Sequence, residues 1–192
     1  MVREVFYLLN SHYLNRFLIY LGIKKAGLDH GLSKEIVYMR LPAGLTKFRS
    51  NSSDSIYSSH FLEHLSKDDA RIFLSEIFRI LDTKGLTRIV VPDTVIHCKK
   101  YLNNTENAIK NMNYTTEYRD FLFNNLADGW GRKPKILNSH FFCWDAPSLC
   151  AELKSHGFIN ITVCDFNKGT DPLMNAADNH EGCSLCVEAT KP

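Results

Sequence analysis

The sequence carries almost no excess of charge. Its 23 Lys and Arg against 21 Asp and Glu leave a net +2 over 192 residues. Binding nucleic acid or an anionic membrane by field strength needs a clustered positive surplus. Here the basic residues come in short scattered pairs, Lys24-Lys25, Lys99-Lys100 and Arg132-Lys133, so no nucleic-acid partner is expected. A long clean apolar run is lacking too. Val5, Phe6, Leu8, Leu9, Phe17, Leu18, Ile19 and Leu21 are interrupted by Asn10, Ser11, His12, Asn15 and Arg16. A secretory core or a membrane span needs an unbroken run. Neither is expected, and the cytoplasm is the expected location. Reduced thiols are expected there for the six cysteines. The C-x-x-C at Cys183 and Cys186 has no second pair, which a structural zinc site would need. It also runs into the β pattern Val187-Glu188-Ala189, where residues three apart face opposite sides. No metal is expected. Internal repeats, low-complexity tracts, a phosphate loop and a Ser-His-Asp order are absent as well.

What is present reads as one α/β domain over residues 1–192. A 44% hydrophobic and 23% charged composition is ordinary for a globular protein with a proper core. Residues 12–26 have an amphipathic helical pattern, and the atypical segment 1–34 is expected to be helical. Residues 35–41 alternate as a strand, and 49–53 form a polar turn. Residues 55–59 make the next strand. Ser66 can cap a helix, with Asp68 and Asp69 at the positive end of its dipole. Ala70, Phe73, Leu74, Ile77, Phe78 and Leu81 recur at helical spacing as its buried face, and Lys84-Gly85 is expected to end it. Residues 86–91 are a β-branched run that suits a strand covered on both faces. Helices are expected over 94–111, 115–126 and 146–156, then strands at 159–166 and 184–189. Strands alternating with helices favour a mainly parallel sheet, with the last two strands as an antiparallel pair at one edge.

The block Ser58-Ser-His-Phe-Leu-Glu-His-Leu65, then Phe78-Arg-Ile-Leu81, Gly85 and Ile89-Val-Val-Pro-Asp93, resembles class I S-adenosylmethionine-dependent methyltransferases of the type 11 kind. The resemblance continues through His140-Phe-Phe-Cys-Trp-Asp145, Leu149, Leu153, Gly157-Phe158 and Ser184 to Lys191, and covers roughly residues 35–192. It implies a Rossmann-like sheet with an antiparallel last strand, and S-adenosyl-L-methionine as cofactor. It also implies an acceptor hydroxyl on a small molecule or a glycan. The loop Ser58, Ser59, His60 is implied to lie against the cofactor. Asp93, beyond a strand's carboxyl end, could orient or deprotonate an acceptor, or cap a helix. His140 is a candidate base near the acceptor. Tyr57, Trp130 and Trp144 could stack on a sugar or pack the core.

The first 34 residues depart from that family, which opens with a strand, a D/E-x-G-x-G turn, a helix and a strand ending in an acid. The glycines let backbone approach the cofactor, and the acid accepts from ribose hydroxyls. No G-x-G exists here. Either the unit is missing or it is a compressed remnant, with Gly22 near the cofactor and Asp29 on the ribose. In the other reading, Gly22 sits in or beside a helix and Asp29 is a solvated loop residue. Arg40 stands where an acid is expected near the adenine. It cannot accept from the adenine amino group, though it could stack on the ring. A lost unit would expose a sheet edge, to be covered by the N-terminal helix or by a second copy in a homodimer.

His60-Phe-Leu-Glu63-His64 also fits H-x-x-E-H, an inverted zinc-peptidase signature. Its place at the turn leaving a strand argues against that use, so Glu63 and His64 are expected to orient the turn. Two functions from different classes follow. One is an active methyltransferase with a reduced cofactor site. The other is a methyltransferase-like binding module without catalysis.

Overall fold

A computed structural model describes residues 5–9, 17–22, 35–39, 43–111, 140–178 and 181–192. It contains a seven-stranded sheet of order β3-β2-β1-β4-β5-β7-β6. The strands are β1 (Val5–Leu9), β2 (Phe17–Gly22), β3 (Glu35–Met39), β4 (Ser53–Ser59), β5 (Leu81–Pro92), β6 (Ile159–Cys164) and β7 (Ser184–Thr190). β1 is parallel to β4, and β4 to β5. β2 runs antiparallel to β1 and β3, and β7 antiparallel to β5 and β6. All strands except β2 and β7 therefore point one way. The expected reversed last strand is β7; the reversal of β2 was not expected.

That reversal corrects the reading of residues 12–26 and 1–34 as helical. Phe17, Ile19 and Tyr20 are aromatic or β-branched residues that suit a pleated surface, and β2 pairs on both edges. Only seven residues separate Leu9 from Phe17. A parallel crossover takes a dozen or more, whereas an antiparallel return can be short. The edge of β4 is accordingly covered by a strand, β1, and not by a helix. The helical stretch expected at 115–126 lies outside the described residues.

Among the described residues three longer helices follow: α1 (Lys67–Ile80), α2 (Thr94–Asn111) and α3 (Ala146–Ser155). Ser66 caps α1, its hydroxyl accepting from the Asp69 amide at 3.1 Å. Asp145 caps α3 in a reciprocal capping box with Ser148, and Gly157 follows at φ +92°, a left-handed stop that glycine adopts without strain. α1 ends at Ile80, before Lys84-Gly85, because Leu81 already belongs to β5 and pairs with Ser53. Gly85 instead sits in the register shift of β5, where a Cβ would lie 2.8 Å from the Asp82 carbonyl oxygen.

α1 and α3 pack on one face of the sheet. Phe73, Leu74 and Ile77 of α1 and Leu149 and Leu153 of α3 are fully buried there with Ile56, Ile89 and Val187. The other face holds a smaller cluster of Tyr57, Leu86, Val90, Cys186 and Met174, the last from a one-turn helix Pro172–Asn175 between β6 and β7. The alternation of Leu86, Arg88 and Val90 against Thr87, Ile89 and Val91 sends β5 side chains to both faces, and all six are buried. At the free edge, β6 shows a register shift between Ile159 and Thr162, an irregularity of the kind that blunts edge pairing. Among the described residues no helix is long and apolar enough to cross a membrane.

Candidate functional site

Leu9 of β1 lies opposite Ser59 of β4, and Ser59 opposite Val90 of β5. The carboxyl ends of the three parallel strands therefore form one edge. The chain runs outward from β1 through β2 and β3, then restarts at β4 on the other side. The gap between β1 and β4 is the topological switch point where open α/β sheets bind ligands.

Three stretches converge beside it. The first is the turn leaving β4. His60 adopts φ +49°, and its amide donates to the Val90 carbonyl at 2.8 Å. Its Nε2 lies 3.0 Å from the Ser184 hydroxyl at the start of β7. A single 3-10 turn, Leu62–His64, comes next. The second stretch is Asp93 with the start of α2. Asp93 Oδ1 accepts from the amides of Val95 at 2.8 Å and Ile96 at 3.2 Å, so it caps α2. The third is 140–144. The amides of Phe141 and Phe142 donate to the Glu63 carbonyl at 2.7 and 3.2 Å, and Trp144 bridges to Asp93.

The sequence-derived site residues separate on this frame. Ser58, Ser59 and His60 sit together at the carboxyl edge. Ser58 and Ser59 are buried, and the Ser58 hydroxyl has no hydrogen-bond partner among the described residues. Asp93 and His140 flank them. Gly22 does not join them: it pairs with Val5 at the start of β1, four residues and about 13 Å along the strand from Leu9. The reversal of β2 moves it to the opposite edge. Asp29 and Arg40 lie outside the described residues, as does Trp130. Tyr57 and Trp144 are buried in the core, which leaves neither ring for stacking on a ligand. The Tyr57 hydroxyl donates to the Ala177 carbonyl at 3.0 Å and to Asp178 at 3.2 Å, and burial raises its pKa above the usual phenol range.

The H-x-x-E-H stretch does not take its peptidase form, because His60 lies before the 3-10 turn in a left-handed conformation and shares no helix with His64. Glu63 is 1% exposed, its Oε1 3.5 Å from His60 Nδ1 and 3.7 Å from His64 Nε2. The His64 and His140 rings meet edge to face at 4.7 Å. Burial lowers the pKa of His140 to about 4 against the pull of Glu63, so at neutral pH it is an uncharged lone-pair donor and a weak base. Sequence reasoning passed over this grouping because His140 is distant in the chain from Glu63.

Burial raises the Cys143 thiol to about 11, with the charges of Cys98 and Glu63 adding to it. Alkylation of Cys143 in the folded protein at pH 8.5 should therefore run about a hundredfold slower than in urea, and quicken about tenfold per pH unit on the way to 11. Peptide mass spectrometry of iodoacetamide-treated protein checks this. Equal rates in the two states would contradict it.

Residues 22–89 match the family model described as a methyltransferase domain. The match overlaps the blocks of β4, α1 and β5 that carry the resemblance read in the sequence, and bears that reading out. No curated protein matches the chain. Among solved structures, a SAM-dependent methyltransferase from Archaeoglobus fulgidus is similar at 13% identity and TM-score 0.49, over 81% of this chain and 66% of that one. Phosphoethanolamine N-methyltransferase 2 from Haemonchus contortus, in complex with S-adenosyl-L-methionine, is similar at 14% identity and TM-score 0.43, over 76% and 34%. A SAM-dependent methyltransferase from Thermotoga maritima is similar at 16% identity and TM-score 0.43, over 76% and 59%. The chain spans less than two thirds of each of these proteins.

Proposed function

We propose that the chain is an S-adenosyl-L-methionine-dependent methyltransferase acting on a hydroxyl of a small molecule or glycan in the cytoplasm. The observation that carries this reading is the edge at the β1–β4 switch point, where Ser58, Ser59, His60 and Asp93 meet. The family match over residues 22–89, which takes in β4 and the turn with Ser58, Ser59 and His60, supports it. The residues present fit the β4 side of such a cofactor: the Ser58 hydroxyl is buried without a partner among the described residues, and His60 is braced by Ser184. Gly22 pairs with Val5, at the far end of β1 from this edge. When bound, the cofactor supplies an electrophilic methyl group on a sulfonium sulfur.

The chain's own residues then have two tasks. Ser58, Ser59 and His60 hold and orient, which is most of what an in-line displacement requires. Asp93 takes the acceptor's proton on its carboxylate, which helix capping already fixes in place. Asp93→Asn separates the two roles, since asparagine caps as well as aspartate but cannot take a proton. Its expected effect is about a 10²-fold loss in kcat with an unchanged melting temperature, read as release of S-adenosylhomocysteine over a panel of sugar and small-molecule hydroxyl acceptors. An unchanged kcat would remove Asp93 from the chemistry, and no turnover on any acceptor would count against the enzyme reading.

A second reading, a binding module without catalysis, is favoured by one observation. β2 returns antiparallel after seven residues, where the family's glycine turn and helix would stand. Cofactor binding separates the two readings.

A further inference from the structure

We propose that Glu63, His64 and His140 together bind one divalent transition-metal ion, zinc by donor preference, with a fourth position open to solvent. The proposal is independent of methyl transfer. One ligand atom from each residue lies within 4.8 Å of the other two. Donors about 2.1 Å from a tetrahedral ion sit about 3.4 Å apart, and the 3.7 Å between Glu63 Oε1 and His64 Nε2 is close to that. Two imidazoles and a carboxylate are the donor set of open zinc sites, which keep three protein ligands and one exchangeable position.

Glu63 supplies the second, independent sign. Its side chain is 2% exposed, yet neither carboxylate oxygen has a hydrogen-bond partner among the described residues. Burying a carboxylate this way is costly unless a cation answers it. His60 Nδ1, at 3.5 Å, and His64 Nε2, at 3.7 Å, stand at ion-pair distances and make no hydrogen bond to it. The fold also prepares the geometry. The Glu63 carbonyl accepts both the Phe141 and Phe142 amides, which pins the segment after His140 to the turn that carries the other two donors. His64 and His140 are partly exposed, so an ion can enter and a water can complete its shell.

The test is a zinc titration of the full chain, dialysed free of metal, in competition with a chromophoric chelator, together with the visible spectrum of the cobalt-loaded protein. The expected result is one zinc per chain with submicromolar affinity. Glu63→Gln and His140→Ala should each weaken it by at least about a hundredfold, beyond what loss of an outer partner does. His64→Gln, at a more exposed position, serves where a buried variant does not fold, as judged by circular dichroism without metal. The cobalt spectrum should show ligand-field bands and no thiolate charge-transfer band. No stoichiometric zinc, affinity unchanged in folded variants, or a thiolate band would each overturn the proposal; the first would leave a metal-free Glu–His cluster.

Discussion

Replacing Arg88 with methionine is expected to lower folding stability by about 3–5 kcal/mol, because it leaves two carboxylates buried without their cation. Arg88 is 0% exposed in the middle of β5. Its Nε and Nη2 donate to the Asp178 carboxylate, and its Nη1 donates to Glu188 at 3.0 Å. Glu188 is its direct cross-strand partner on β7. The carboxylates are themselves tied down. Glu188 accepts from the Thr170 amide at 2.9 Å, and Asp178 from the Asn167 amide at 3.0 Å. The network therefore fastens the whole connection between β6 and β7 onto the sheet's second face, where the apolar cluster is small. Urea denaturation measures the loss. A variant with Arg88→Met, Asp178→Leu and Glu188→Leu combined should recover part of it, since removing all the charges removes their desolvation cost while the Thr170 and Asn167 amides lose their acceptors. A loss below about 1 kcal/mol for Arg88→Met would mean that the carboxylates find water.

Phe73→Ala is expected to cost a similar amount, about 3–5 kcal/mol, as a cavity in a fully packed core. Phe73 and Phe61 are both 0% exposed, edge to face at 5.0 Å. The pair joins α1 to the turn that carries His60, Glu63 and His64, so the cavity opens beneath the site. Phe73→Leu should cost far less, because it keeps most of the volume. Each variant takes a large share of an ordinary domain's total of about 5–15 kcal/mol. Thermal melts should rank them wild type, Phe73→Leu, Phe73→Ala. Equal melting temperatures for the leucine and alanine variants would contradict tight packing at this contact.

How much was legible in the sequence depended on how local the signal was. The stretch from β4 to β5 was read almost residue by residue, since Ser66, the α1 stripe and the β-branched run of β5 each act within one element. The α3 cap at Asp145 and its stop at Gly157 were legible for the same reason. The end of α1 and the strand β2 were not. Leu81 ends α1 because it pairs with Ser53, a partner nearly thirty residues away in the sequence. β2 was read as a helix because short apolar runs satisfy both periods, and only pairing with β1 and β3 decides. That miss carried Gly22 to the wrong edge of the sheet. Ser58–His60 and Asp93 stand out in the sequence because strand ends are local features. The grouping of Glu63 and His64 with His140 does not, since it depends on how the 140–144 segment docks on the turn.

Calorimetric titration of the purified chain with S-adenosyl-L-methionine and S-adenosylhomocysteine tests the central claim most directly. The expected dissociation constant is micromolar, weakened at least about tenfold, or 1.4 kcal/mol, by His60→Ala and left unchanged by Gly22→Ala. No binding of either ligand at millimolar concentration would contradict it and leave the chain a methyltransferase-like module with another task.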